Sequence, residues 1–306
     1  MGANKPIPMN KVFFGFLSTV AYLVFLHLAG LDGRLLHQAG WAAPANPLAQ
    51  ESIALHDYVL TASLKIACLD ANLSGITFCR GTKTLFGITN EPPRIVEMDT
   101  SGNCLRAIPL MGFVDTEGIA WLNGRRFAII EEQQHILSVV AISDDTTSLN
   151  RSHVLHSLQV DMKARDNKGI EGIAYDGENG RLYLVNEKRP RQIFSVGGLT
   201  RARQRLDIRL ESDLLPRWWL MKDLSGLHFD AASHHLLLVS HESQCVFEVT
   251  LDGRLVSQLE LTKNSAGLPT DIPQAEGVAT DEAGNLYIAS EPNMLYTFTR
   301  RDRAPI

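Results

Sequence analysis

The stretch from Lys168 to Val196, KGIEGIAYDGENGRLYLVNEKRPRQIFSV, decides the fold. It reads as an inner strand from Glu171 to Tyr175, a Gly-containing turn, a second strand from Arg181 to Asn186, a loop opening at Glu187 and a third strand from Gln192 to Val196. Copies recur on both sides: LSGITF with LFGITNE from Leu73, TEGIAWL with FAIIEEQQ from Thr116, LSGLHFD with LLLVSHE from Leu224, and AEGVATD with LYIASEP from Ala275. Their marker glycines, Gly75, Gly118, Gly172, Gly226 and Gly277, are spaced by 43, 54, 54 and 51 residues. Periods of roughly 40 to 50 residues holding four strands belong to propeller blades. Helical repeats are excluded by the period-2 pattern of Leu182 and Leu184 or Leu236 and Leu238, and by the β-branched and aromatic content.

A propeller must close on itself to hide its edge strands. The last copy stops after its third strand, Met294 to Thr299, and an orphan strand, Tyr58 to Ile66, precedes the first copy. The expected architecture is therefore all-β: five four-stranded blades, with the N- and C-terminal strands sharing the closing blade. A sixth blade inside Gly197 to Asp223 is the alternative.

Ahead of the propeller lies an uncharged apolar run of 19 residues, Val12 to Gly30, preceded by Lys5 and Lys11. A membrane-crossing helix needs about 20 residues and tolerates about 17, and lysines on its N-terminal side keep that end in the cytoplasm. Residues 1–30 thus read as a cytoplasmic stub and transmembrane signal anchor, residues 31–54 as a linker and residues 55–306 as the propeller. A cleavable signal peptide is the rival, with Ala43-Pro44-Ala45 as a poor cleavage site.

With 29 basic against 34 acidic residues the net charge is −5, and no basic patch with interleaved aromatics occurs, so nucleic acid is not an expected partner. The four cysteines, Cys68, Cys79, Cys104 and Cys245, show no metal-finger spacing. In an exported domain Cys68 can pair with Cys79 or Cys104, or all four can be small buried residues.

The repeated SGI or EGI inner strand, followed by a strand ending in Asn-Glu or Ser-Glu, resembles the SdiA-regulated family, also called YjiK-like. That family includes calcium-regulated β-propellers of bacterial envelopes. The resemblance covers about residues 55 to 306 and implies a propeller fold, an envelope location and a connection with calcium. Together with the anchor it places the propeller in the periplasm on the bacterial inner membrane.

In each blade the first two strands are antiparallel, so the start of one and the end of the other emerge on the same face. At the first position stand Ser74, Glu117, Glu171, Ser225 and Glu276; at the second, Glu91, Glu132, Glu187, Glu242 and Glu291. Radial repetition makes both sets rings at the channel mouth, and so many carboxylates there must be protonated, paired with cations or bound to metal. Calcium suits them, being a hard ion that takes about 6 to 8 oxygen ligands. A glutamate recurring in a repeat also caps backbone N–H groups of a neighbouring blade, and the outer ring fits that reading. The unequal inner ring makes Glu117, Glu171 and Glu276 the better ligand candidates.

Lys188, Arg189 and Arg191 in the loop after Glu187 are expected to neutralise the rings, or to receive a phosphate or carboxylate of a substrate beside a cation. Trp218 and Trp219 read first as packing between blades. Two functional classes are in contest. One is a calcium-responsive binding or scaffold protein that takes a protein or small-molecule ligand on its propeller face. The other is a cation-dependent hydrolase of the phytase-like or esterase/lactonase-like kind. No nucleophile elbow, Ser-His-Asp order or HExxH motif singles out a reaction.

Overall fold

The computed structural model describes residues 52–160, 169–187, 190–200, 204–214 and 221–301. These form five blades, four with their antiparallel strands running outward in chain order and a closing one whose outermost strand comes from the N-terminal end. Blade 1 holds Leu73–Cys79, Thr84–Thr89, Arg94–Met98 and Cys104–Met111; blade 2 holds Thr116–Asn123, Arg126–Glu131, Ile136–Ala141 and Val154–Gln159. Blade 3 holds Ile170–Asp176, Arg181–Asn186, Gln192–Gly197 and Asp207–Leu210; blade 4 holds Gly226–Asp230, His235–Ser240, Cys245–Val249 and Leu255–Glu260. Blade 5 takes Ala275–Thr280, Leu286–Ser290 and Met294–Arg300 from the C-terminal end and its outermost strand, Tyr58–Lys65, from the N-terminal end. A two-residue strand, Leu149–Asn150, adds in parallel to Leu110 and Met111 at the rim of blade 1.

The shared blade is therefore as the chain ends imply: Tyr58 lies opposite Arg300 and Lys65 opposite Met294. Among the described residues there is no sixth blade. The segment from Gly197 onward supplies the fourth strand of blade 3, and the inner strands of blades 3 and 4 pack directly on each other. The five inner strands close into a ring, each packed beside the next and the last beside the first.

Five apolar cores fill the five gaps between blades. Because the second and third strands of every blade are covered on both faces, runs such as His235–Ser240 and Cys245–Val249 are buried throughout and lose the alternation of a one-sided sheet. Outermost strands keep an exposed face, as in the pattern of Cys104–Met111.

The marker glycines are contact points between inner strands. A Cβ on Gly226 would lie 2.5 Å from the carbonyl oxygen of Glu276 in blade 5, and one on Gly75 would lie 2.7 Å from that of Glu117 in blade 2. Backbone cannot yield as a flexible side chain does. Gly226→Ala is therefore expected to cost about 1 to 3 kcal/mol, in the range of overpacking, measured as a lowered urea midpoint at unchanged slope.

Cys68 and Cys104 form a disulfide that ties the end of the closing strand to the rim of blade 1, and Cys79 and Cys245 are free and buried. At the N-terminal end, Ser52 and Ile53, inside the stretch read as linker, are already docked. The Ser52 hydroxyl donates to Glu248 Oε2 at 2.7 Å, and the Ile53 N–H donates to Oε1 at 3.0 Å. Among the described residues no helix is long and apolar enough to cross a membrane; the run from Val12 to Gly30 lies outside them.

Candidate functional site

Strand pairing, rather than the recurrence of glutamate, sets which residues are equivalent. Leu73 lies opposite Thr89, Thr116 opposite Glu131, Ile170 opposite Asn186 and Ala275 opposite Ser290. In each of these inner strands the ladder skips the next residue, making Ser74, Glu117, Glu171 and Glu276 bulge residues. Blade 4 repeats this at Ser225, whose N–H donates to the carbonyl of Val239, the residue that lies opposite Gly226. A bulge turns its side chain out of the ladder. The inner ring is thus a ring of bulges at the start of the inner strands.

The residue just after each second strand is Asn90, Glu132, Glu187, His241 and Glu291. Three of the five expected outer-ring glutamates hold this position. Glu91 and Glu242 lie one residue further along and are exposed, so Asn90 and His241 take their places in the ring. The repeated "-Glu" ending of the motif is out of register in blades 1 and 4.

A third set of positions lies two residues before each bulge: Asn72, Asp115, Gly169, Asp223 and Gln274. The carbonyls of Asn72, Asp115, Gly169 and Gln274 accept from the N–H groups of Asn90, Glu132, Glu187 and Glu291, which pins the two loops of each blade together. Asp115, grouped with Glu117 and Glu132, and Asp223, whose charge acts on Glu276, join the mouth. Eight carboxylates still gather there: Asp115, Glu117, Glu132, Glu171, Glu187, Asp223, Glu276 and Glu291, with Asp115 and Asp223 in place of Glu91 and Glu242. Asp223 is committed to its own blade, accepting from the Ser240 hydroxyl at 2.5 Å and from the Glu242 N–H, with His241 Nδ1 3.5 Å away.

Among the described residues the tightest grouping is in blade 2, where one carboxylate oxygen each from Asp115, Glu117 and Glu132 lies within 4.8 Å of the others. Asn90 Nδ2 from blade 1 donates to Glu117 Oε1 at 2.9 Å, and Glu132 Oε1 accepts from the Gly169 N–H of blade 3 at 2.8 Å. Glu132 therefore caps a neighbouring blade, as the structural reading of the outer ring expects, and also belongs to the acidic group. Its neighbour Glu131 has a different role: fully buried, it receives both Arg151 guanidinium ends at 2.6 and 2.5 Å and the Val114 N–H at 2.9 Å. Adjacent glutamates in the sequence are thus split between an ion pair in the blade and the channel mouth.

Burial, followed by mutual repulsion, dominates the electrostatics. Burial pushes the Glu117 carboxyl up to about 7, with Glu132 and Asp115 adding repulsion against hydrogen bonds from Asn90 and Ser74. Glu276 is pushed to about 9 by burial, then by Glu291, Glu117 and Asp223. Glu171 is raised well above the usual carboxylate range by burial and by Glu132, Glu117, Glu276 and Glu187. Burial also raises Glu132 and Glu291, the latter offset by His241. The inner glutamates of blades 2, 3 and 5 sense one another across the axis, so the ring is one electrostatic unit.

The group could hold a metal ion. Asp115 Oδ2 and Asn90 Oδ1 are buried and accept no hydrogen bond among the described residues. Hard oxygen donors of this kind, with no sulfur or imidazole in the blade 2 group, fit calcium or magnesium rather than zinc. Of the basic loop, Arg191 is half-buried, and Lys188 and Arg189 lie outside the described residues, as do Trp218 and Trp219.

Several solved structures are similar in part. A luciferin-regenerating enzyme superposes with a TM-score of 0.51 at 13% identity, over 79% of this chain and 96% of its own. A chain of a nidogen/laminin complex gives 0.47 at 20% identity, over 71% and 72%. A Bacteroides thetaiotaomicron protein of unknown function gives 0.47 at 17% identity, over 75% of this chain and 55% of its own. At 13% identity the likeness to the luciferin-regenerating enzyme concerns the fold alone. The SdiA-regulated family model, by contrast, matches residues 50–299, the whole propeller with its bulge rings and shared closing blade, and the chain belongs to the SdiA-regulated family.

Proposed function

We propose that the propeller binds a divalent cation, calcium by its ligand chemistry, at the channel mouth, and serves as a calcium-responsive binding protein of the bacterial envelope. The observation that carries this is the Asp115, Glu117 and Glu132 group with its two orphaned buried oxygens, Asp115 Oδ2 and Asn90 Oδ1. Leaving a buried acceptor unmatched costs about 1 to 3 kcal/mol, which a bound cation returns. Glu171 and Glu276 face the same charge and add ligands or counter-charge as the coordination shell needs.

Calcium is favoured over magnesium on geometric grounds. Carboxylates drawn from a bulge, a strand end and a turn cannot supply a rigid octahedron, whereas calcium accepts irregular shells of about 6 to 8 oxygens. The Cys68–Cys104 disulfide supports an oxidising compartment, and the apolar run with its preceding lysines supports an inner-membrane anchor that holds the propeller in the periplasm. A ligand on the propeller face, a protein or a small molecule, would then meet a surface whose charge depends on the bound cation.

Thermal unfolding of the domain tests the reading. An ion that binds only the folded state stabilises it by RT ln(1 + [Ca]/Kd), about 2.7 kcal/mol at a hundred times Kd. Extracellular modules bind with Kd of order 10⁻⁴ to 10⁻³ M, so the melting temperature should climb through the millimolar range, and more for calcium than for magnesium. Equal or absent responses to the two ions would overturn the assignment.

A further inference from the structure

We propose that a groove on the outer rim of blade 1 binds a small amphiphilic anion, a single carboxylate at the end of an apolar chain. The groove has a volume of about 520 Å³, within the roughly 300 to 1,000 Å³ of small-molecule sites. It lies where the outermost strand Cys104–Met111 sends Ile108 and Leu110 into the core between blades 1 and 2 and leaves Pro109 and Met111 exposed on its other face. Pro92, Pro93 and Phe113 extend the apolar wall, and among the described residues Arg94 carries the only polar side chain of the lining. Met111 is 60% exposed, and its unbranched thioether chain adapts to the shape of a guest.

The backbone of the wall is largely used up. Pro92, Pro93 and Pro109 have no N–H to give. The carbonyls of Pro92, Pro93 and Gly112 already accept from the Thr89 hydroxyl at 2.7 Å, the Leu110 N–H at 3.0 Å and Arg151 Nε at 2.9 Å. The strand edge at Leu110 and Met111 is taken by Leu149–Asn150. A peptide strand or a sugar would therefore leave in the groove many of the hydrogen bonds that it makes in water, each at a cost. A guest with an apolar body and one polar end loses little.

Arg94 sets the charge of that end. It lies opposite Pro109 in the ladder, so the two side chains share a face. Among the described residues its side chain makes no hydrogen bond or ion pair, and Glu97, the one carboxylate of its strand, is taken by Arg106 at 2.6 Å. A guanidinium is a fork of donors that matches a carboxylate in a bidentate pair. One uncompensated guanidinium at an apolar groove thus selects one negative charge on an apolar chain, with the chain laid over Pro109, Met111 and Phe113.

The test uses the propeller, residues 48–306, the compact unit within which all five blades and the Cys68–Cys104 disulfide close, in EDTA. Decanoate below its micellar range is titrated into protein with isotope-labelled methionine methyl groups, followed by NMR, with the Met111 signal assigned from Met111→Leu. That signal is expected to shift to saturation. Shortening the chain toward hexanoate should weaken binding about two- to fourfold per methylene, and decanol should bind at least about tenfold more weakly than decanoate. Arg94→Gln should lose at least about tenfold in decanoate affinity and leave decanol unaffected. Met111→Glu, at an exposed position, should abolish decanoate binding at an unchanged melting temperature. A Met111 signal that does not move, decanol bound as tightly as decanoate, or variants that bind like the wild type would each overturn the proposal. So would an apolar peptide with a free C-terminal carboxylate that binds where decanoate does not, or a dimer that covers Met111 without any ligand. Because calcium is absent throughout, the result is independent of the cation at the channel mouth.

Discussion

Metal-free, the propeller is expected to lose stability as pH rises from about 6.5 to about 9, and calcium is expected to reverse the trend. The sign follows from the raised carboxyls. A glutamate held near 9 in the fold, as Glu276 is, keeps its proton where the unfolded chain has lost it, so each rise in pH favours the unfolded state until the folded group ionises. The slope is up to about 1.4 kcal/mol per pH unit for one such group. Glu117, near 7, contributes the same sign over the lower part of the window, and Glu171 extends it. Other groups act elsewhere. His228, pushed down to about 4 by burial, resists protonation in the fold, so it weakens the fold only as pH drops below about 6.5. Glu248 and Asp230, held below the usual carboxylate range, lose their contribution at still lower pH. Chemical denaturation at pH 6.5 and pH 9 in EDTA isolates the ring. A bound cation prefers ionised ligands, so its stabilisation should grow over the same window, with protons released on binding. Metal-free stability that is flat or rises between these two pH values would mean that the glutamates ionise freely and are not confined together.

Glu117→Gln/Glu276→Gln should abolish the calcium response and make the metal-free protein more stable than the wild type at pH 9. Glutamine keeps the shape and the hydrogen bond from Asn90 while removing the charge, so the variant mimics the doubly protonated wild type. The difference between the two proteins should therefore shrink toward zero near pH 5, where the wild-type pair holds its protons. With Glu276 alone displaced from about 4.5 to about 9, the gain at pH 9 is several kcal/mol at most, reduced by whatever water and ions reach the half-buried group. A variant that is less stable at every pH would show these side chains to be ties between blades.

The propeller was legible in the sequence because inner strands from five blades meet at one axis and demand glycine where backbones touch, as at Gly226 against Glu276. A close approach recurs at every marker glycine, first to backbone at Gly75, Gly226 and Gly277 and first to a side chain at Gly118 and Gly172. The closing strand was legible because an unpaired edge must be covered, and Tyr58–Lys65 was the one stretch left over to do it. The positions lining the channel mouth were legible only to within a residue. Glu91 and Glu242 resemble Glu132 in the motif, but equivalence depends on which residue ends the second strand, and in blades 1 and 4 the glutamate stands one position further along the loop. Asp115 and Asp223 were missed because their repeat position also holds asparagine, glycine and glutamine, so no recurring letter marks it. What marks it is distance from the bulge. The bulge is a property of strand pairing, and composition does not reveal it.

Anomalous diffraction from crystals of the propeller grown in about 10 mM calcium, well above the expected Kd, tests the central claim most directly. A calcium peak about 2.3 to 2.6 Å from oxygens of Asp115, Glu117 and Glu132 is the predicted result. No peak at the mouth, with these three carboxylates bonded only to protein groups, would contradict it.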